Sequence, residues 1–184
     1  TAGGGLGRYR RGGVASPDAP SLIIPRKALN LLKSTLPAEN VPVSVEFNQS
    51  NAYFKFGNIK MICRLIDERF PDYENVIPTE NPNTMSINRQ ELLGTLKRIA
   101  IYANKTTHQG RLKLTGSELL ISAEDLDFSN EANERLSCEH DGEDNEIGFN
   151  AKFLVEMLSN LTCKEVTLKF SAPNRAGLIL PSEP

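Results

Sequence analysis

Histidine is scarce in this sequence, with only His108 and His140 among 184 residues. A Ser-His-Asp triad or a histidine-built metal centre therefore has almost no material to draw on. Cysteine is scarce as well. Cys63, Cys138 and Cys163 are an odd number at wide spacing, which suits neither a disulfide framework nor a C-x-x-C metal site, and they read as reduced, mostly buried thiols. No run approaches the roughly 18 consecutive apolar residues of a membrane helix. The first residues also lack the basic, apolar and small-residue order of a secretory signal. A cytoplasmic location without a membrane partner is the expectation. Positive charge is not in excess either. A formal net charge of −2 excludes a bulk polycation that coats nucleic acid by counterion release, so any DNA contact has to come from local patches.

What the chain does contain is enough apolar material for ordinary cores, 39% of residues, arranged in a repeat. A helix-start pattern recurs at Pro25-Arg26-Lys27-Ala28-Leu29, Asn88-Arg89-Gln90-Glu91-Leu92 and Asn150-Ala151-Lys152-Phe153-Leu154, so that starts at 25, 88 and 150 lie 63 and 62 residues apart. Proline or asparagine at a first turn removes or satisfies an orphan amide. Each start is preceded by a short apolar segment that predicts a strand: Leu22-Ile23-Ile24, Met85-Ser86-Ile87 and Glu146-Ile147-Gly148-Phe149. Apolar residues then fall at +4 (Leu29, Leu92, Leu154) and +11 (Leu36, Ile99, Leu161), with Leu32 and Met157 at +7, which is helical periodicity.

Period-two patterns follow each helix and predict strands. They run through Val41, Val43, Val45 and Phe47, then Ala52, Phe54 and Phe56; through Leu112 and Leu114, then Leu119, Ile121 and Ala123; and through Val166, Leu168 and Phe170, then Leu178 and Leu180. The sum is an α+β architecture of pseudo-repeated helix-on-antiparallel-sheet half-domains. One helix on three or four strands cannot bury both faces of its sheet, so each half is expected to pair with a twin. The third unit reads one strand short. The opening stretch, 1–13, lacks an initiator methionine and holds six of the thirteen glycines with Arg8, Arg10 and Arg11, which predicts a loose end and a chain that starts inside a longer protein.

Candidate chemistry is thin. Cys138 and His140 are an i,i+2 pair with no second pair, weak as a metal site. The acidic run from Glu124 to Glu146 contains Asp141-Gly142-Glu143-Asp144, similar to a calcium loop in composition but without its alternating ligands. It reads as solvated strands and a charged turn. The alternative, a small metal-dependent α+β enzyme using segment 124–146, would need a carboxylate pair that nothing singles out. Basic residues gather on the helices instead: Arg26, Lys27 and Lys33, then Arg89, Lys97 and Arg98, then Lys152. Arg26 and Lys33, seven apart, share the side opposite most of the leucine stripe. That split could set a positive surface against phosphates within an acidic protein.

The segment Asp67-Glu68-Arg69-Phe70-Pro71-Asp72-Tyr73-Glu74-Asn75-Val76-Ile77-Pro78 closely resembles the linker between the second and third domains of the bacterial β clamp family, and the similarity extends over nearly the whole chain, through Ile23 to Lys27 and Glu146 to Asn150. It implies a DNA-clamp fold, with residues 1–82 as the later part of domain 2 and 83–184 as domain 3 without its final strand and tail. In that family six domains from two subunits close a ring, helices lining the hole. The resemblance implies a non-catalytic processivity factor of the replicative polymerase that needs no cofactor or metal. Its partners would be double-stranded DNA, met without sequence preference, and a second subunit. Arg26 and Lys27 would approach the DNA backbone. Polymerase subunits, the clamp loader and repair proteins would dock by linear peptides in a pocket at Thr1, Gly3, Leu6, Pro71, Asn75 and Val76, bordered by Phe153. Ile101 and Tyr102 match positions of the dimer interface, beside an acidic edge at Glu131 and Glu134. With domain 1 lacking, this chain alone is not expected to close a ring.

The chain departs from the family at several of these positions. Thr1-Ala2-Gly3-Gly4-Gly5-Leu6 stands where the family usually reads Thr-Asp-Gly-His-Arg-Leu, Asn75 where many relatives carry arginine, and Gly110 in a strand where a branched residue is usual.

Overall fold

The computed structural model describes residues 5–10, 20–173 and 175–182. The chain divides into two compact units, one of residues 11–72 and the other of residues 1–10 with 73–184.

In the first unit, α1 (Arg26–Thr35) precedes three strands, β1 (Ser44–Phe47), β2 (Asn51–Phe56) and β3 (Ile59–Arg64), which form an antiparallel sheet in that order. Strands β2 and β3 are joined at Gly57, whose φ of +53° is the left-handed conformation that a two-residue hairpin turn asks of glycine. Ala52, Phe54 and Phe56 point inward from β2 as their alternation predicts and, with Cys63, make the buried cluster. Ala28 and Leu32 of α1 rest on it half-buried. No α1 residue is fully buried.

Two expectations fail in this unit. Leu22-Ile23-Ile24 is no strand, its tie being the Ile66 amide donating to the Ile23 carbonyl at 3.0 Å, because no neighbouring strand among the described residues offers it a ladder. Val41 and Val43 lie outside β1; Pro42 between them has no amide to donate.

The second unit holds two halves. The first is β4 (Asn83–Asn88), α2 (Arg89–Ile99), β5 (Gln109–Thr115), β6 (Glu118–Asp125) and β7 (Asn130–Ser137). The short strand β8 (Glu139–Asp141) then leads to the second half: β9 (Asn145–Asn150), α3 (Ala151–Ser159), β10 (Glu165–Phe170) and β11 (Leu178–Pro181). Two four-stranded sheets result, β11-β10-β4-β8 and β7-β6-β5-β9. Each half lends the strand before its helix to the other half's sheet: β4 pairs with β10, and β9 with β5. Asn88 accepts from the Gln90 and Glu91 amides and Asn150 from that of Phe153, so the cap residues do what their spacing promised.

Sixteen buried residues form one core here, among them Leu92, Leu96 and Ile99 of α2 and Leu158 of α3, with inward residues of both sheets. Gly110 has a reason in this packing. A Cβ there would meet the ring of Phe149, its partner across β9, at 2.8 Å, so the aromatic side chain fills the place of a branched one. The last strand corrects the expected phase: Ile179, opposite Leu168, packs inward, while Leu180 is exposed.

Candidate nucleic-acid and peptide interface

The first candidate surface is the start of α1. Pro25 occupies the cap position without a side chain to accept the first amides, no acid lies in the first turn, and Arg26 and Lys27 are exposed there. A helix start carries a partial positive charge and favours carboxylates, so two cations at this end oppose the macrodipole by roughly 0.3–1 kcal/mol each. The other helices are built more conventionally. α2 has Glu91 in its first turn and Lys97 and Arg98 in its last. Among the described residues neither Arg26 nor Lys27 forms an ion pair. Three features thus coincide at one spot: unpaired cations, open amides and the positive end of the helix dipole. Such a place suits phosphate oxygens.

The second candidate surface belongs to the other unit. Residues 5–10 are exposed and without regular structure, and they touch this unit at Gly5 and Arg8. Gly5 lies against α3, where an added Cβ would come within 3.3 Å of the Met157 sulfur. The Arg8 guanidinium stands 5.8 Å over the centre of the Tyr73 ring and 3.7 Å from Glu74 Oε1, exposed contacts worth little singly. Tyr73, Glu74, Asn75 and Val76 form a 3-10 turn. Leu6 and Val76 remain 47% and 63% exposed, and Phe153 is half-buried at the start of α3.

The structure thus places Leu6, Asn75, Val76 and Phe153 on one unit. Pro71, exposed, is in the other. Thr1 and Gly3 lie outside the described residues. Met157, Tyr73 and Arg8 were not singled out from sequence. A methionine at helical spacing looks like core, and an arginine amid glycines carries no local signal. Two concavities of about 480 Å³ each open elsewhere, one beside Asn83 and Gly142 and one beside Asn104 and Glu124. None of the expected peptide residues lines either.

Ile101 and Tyr102 follow α2 and are 73% and 41% exposed, an apolar pair left open to solvent. Nearby in the fold, β7 is an edge strand. Its Glu134 is gripped from α2: Arg98 Nε and Nη2 donate to its two carboxylate oxygens at 2.7 and 2.6 Å, and the buried Thr95 hydroxyl donates at 3.0 Å. The Arg98 fork, above all, holds the Glu134 carboxyl below its ordinary pKa.

Other acids of segment 124–146 also have structural duties. Glu124 pairs with Arg111 at 2.9 Å, Asp125 accepts from Asn104, and Asp144 accepts from the Gly116 amide. Burial raises the Cys138 thiol. His140 stacks on Phe170 at 6.4 Å. Among the described residues no group of three His, Cys, Asp or Glu side chains converges as metal ligands would, and no helix is long and apolar enough to cross a membrane.

Comparison with known proteins follows the same division of the chain. The family model described as "DNA polymerase III beta subunit, central domain" matches residues 12–72, and that for the C-terminal domain of the same subunit matches residues 74–183. The beta sliding clamp of Vibrio cholerae is 31% identical over 158 residues, covering 86% of this chain and 43% of the relative. That of Treponema pallidum is 31% identical over 180 residues, covering 96% and 48%. A crystal structure of a sliding clamp from Pseudomonas aeruginosa, bound to griselimycin, superposes with a TM-score of 0.85 at 29% identity, over 89% of this chain and 44% of that one. The chain therefore spans less than half the length of the curated relatives it matches. Two consecutive domain models account for both compact units, with helix-led half-domains in each, and the chain belongs to the DNA polymerase III beta subunit, or beta sliding clamp, family.

Proposed function

We propose that this chain is the central and C-terminal portion of a sliding clamp, residues 1–82 being central-domain and linker sequence and 83–184 the C-terminal domain. Its role is to tether a replicative polymerase in the cytoplasm rather than to catalyse. In the assembled parent two subunits form a ring around duplex DNA. Arg26 and Lys27 meet phosphates without reading bases, so every position along the duplex is equivalent and the ring slides. Leu6, Pro71, Asn75, Val76 and Phe153, with Thr1 and Gly3, receive extended peptides of polymerases, clamp loader and repair proteins, whose leucine and phenylalanine side chains suit exposed apolar walls. Ile101 and Tyr102 contribute to subunit closure. Processivity then comes from topology and effective concentration, with no cofactor.

The observation that carries this reading is the inverted charge at α1, two unpaired cations at the helix end that electrostatics disfavours. Fluorescence anisotropy with a short duplex tests it. Binding should be weak, equal for unrelated sequences and steeply salt-dependent. Replacing Arg26 and Lys27 together by alanine should reduce the slope of log affinity against log salt by about 2. An unchanged slope would contradict the assignment. The chemistry of segment 124–146 gives the rival metal-enzyme reading no comparable support.

A further inference from the structure

The sheet of residues 11–72 has a second face, turned away from α1, on which charge is left unbalanced. Ala52, Phe54, Phe56 and Cys63 form the buried cluster against which α1 rests. Side chains alternate along a strand, so Tyr53 and Lys55 of β2 and Lys60, Ile62 and Arg64 of β3 point to the other side. The register sets Lys55 directly opposite Lys60 and Tyr53 opposite Ile62, with Glu46 of β1 at the far end of that second row. Like charges directly opposite on neighbouring strands destabilise a sheet. Yet among the described residues Lys55, Lys60 and Arg64 form no ion pair. Between Lys60 and Arg64 on the same strand, Ile62 is 65% exposed.

The second unit supplies the contrast. There the same face of β5 and β6 is also open to solvent, with Arg111, Lys113, Glu118 and Glu124 exposed although two halves are present. A twin half exchanges strands at the edges, and the outer sheet face stays open beside it. In that unit, however, the charges are matched. Arg111 reaches Glu124 at 2.9 Å and Glu146 at 3.9 Å, and Arg135 reaches Glu118 at 3.7 Å. The cations of β2 and β3 are therefore unfavourable for folding and unanswered within their own unit. Such a surface is complementary to an anion from outside.

We propose that this outer face docks an acidic, extended segment of a partner protein, whose carboxylates meet Lys55, Lys60 and Arg64 and whose aliphatic side chain covers Ile62. Charge complementarity fixes the sign of the partner, and Ile62 fixes its kind. A single nucleic-acid strand is also negative, but its bases stack on aromatic or guanidinium planes, and here an exposed aliphatic side chain stands between two cations. Glu46, beside Tyr53 in the register, opposes a phosphate chain as well. An extended protein segment turns every second side chain to one side, about 6.8 Å apart. Acid, aliphatic and acid at alternate positions therefore match Lys60, Ile62 and Arg64. The site is separate from the candidate duplex contact at Arg26 and Lys27, since α1 lies on the opposite face of this sheet.

Fluorescence anisotropy of the full chain tests this with a labelled synthetic peptide built on repeats of Glu-Ser-Ile-Ser-Glu. At an ionic strength of about 0.15 M the screening length is about 8 Å, and the chain's net charge of −2 gives an acidic probe no help. The peptide should bind saturably. Lys60→Glu should weaken binding at least about 10-fold. The same change should raise the melting temperature, because it turns a like-charge pair with Lys55 into an opposite-charge pair, so lost docking is separated from misfolding. Ile62→Ser should weaken binding about 5-fold, the scale of a partly covered aliphatic side chain. Arg111→Glu, the same charge change on the other unit's outer face, should leave it unchanged. Amide NMR shifts of the unaltered protein should move at Tyr53, Lys55, Lys60, Ile62 and Arg64. Absence of saturable binding overturns the proposal, as does an equal loss with Arg111→Glu or a footprint on Leu6 and Val76 instead. An oligothymidine that binds this face more tightly than the peptide, and is released by Lys60→Glu, overturns it in favour of nucleic acid.

Discussion

The two compact units are built from the same kind of half-domain, and among the described residues one unit holds two interleaved halves and the other holds one. Where two halves interleave, sixteen described residues are buried in one core, and α2 alone contributes Leu92, Leu96 and Ile99 to it. In the unit of residues 11–72, four described residues form the buried cluster and α1 buries none. The sheet-and-helix motif buries more of its helix where two halves exchange strands. Unequal burial should separate the two units in unfolding.

The largest expected effect follows from that inequality. Leu96→Ala, at a fully buried α2 position, should cost about 3 kcal/mol. Leu32→Ala, at a half-buried α1 position, should cost about 1 kcal/mol or less. Urea denaturation followed by circular dichroism checks both. The unaltered chain should unfold in two phases, and Leu96→Ala should move only the later one. Equal costs would mean that α1 is as deeply packed as α2.

Helix ends sharpen the comparison at a smaller scale. Asn88→Ala removes the acceptor of two α2 amides and should cost about 1 kcal/mol. At α1 the opposite sign is expected: Lys27→Glu should stabilise that helix by roughly 0.3–1 kcal/mol while weakening duplex binding. Thermal melts and anisotropy on the same two variants distinguish a helix end shaped for folding from one shaped for a ligand.

The smallest effect concerns Glu134, held by Arg98 and Thr95. Its folded pKa is depressed, so its contribution is fully present above the unfolded value near 4.5 and disappears as pH falls through the lower folded value. Glu134→Gln should therefore lower the melting temperature at pH 7, with the difference fading at pH values below the folded pKa. A pH-independent difference would point to lost packing.

Much of this arrangement could be read from residues alone, and the failures share one cause. Helix starts were legible because caps and apolar spacing are local; Asn88 and Asn150 cap as expected. Alternation in β2, β5, β6 and β10 was legible because those strands have one face firmly buried. Strand exchange was not, since nothing within Met85-Ser86-Ile87 says that its partner lies beyond α3. For the same reason Leu22-Ile23-Ile24 looked like a strand: its apolar character is real, but a strand also needs an edge to join. Leu178 and Leu180 misled because both phases of β11 are apolar, so only pairing with Leu168 decides. At the candidate peptide surface, Leu6, Val76 and Phe153 were reachable by resemblance. The contacts of Arg8 with Tyr73 and Glu74, and of Gly5 with Met157, were not, because they join distant parts of the chain.

Retention on DNA of defined topology tests the central claim, that α1 belongs to a tethering ring. The intact parent protein, loaded onto a nicked circular plasmid and passed through a sizing column, should stay with the circle and be lost once the plasmid is linearised. Equal retention on both forms, or on neither, would contradict the account.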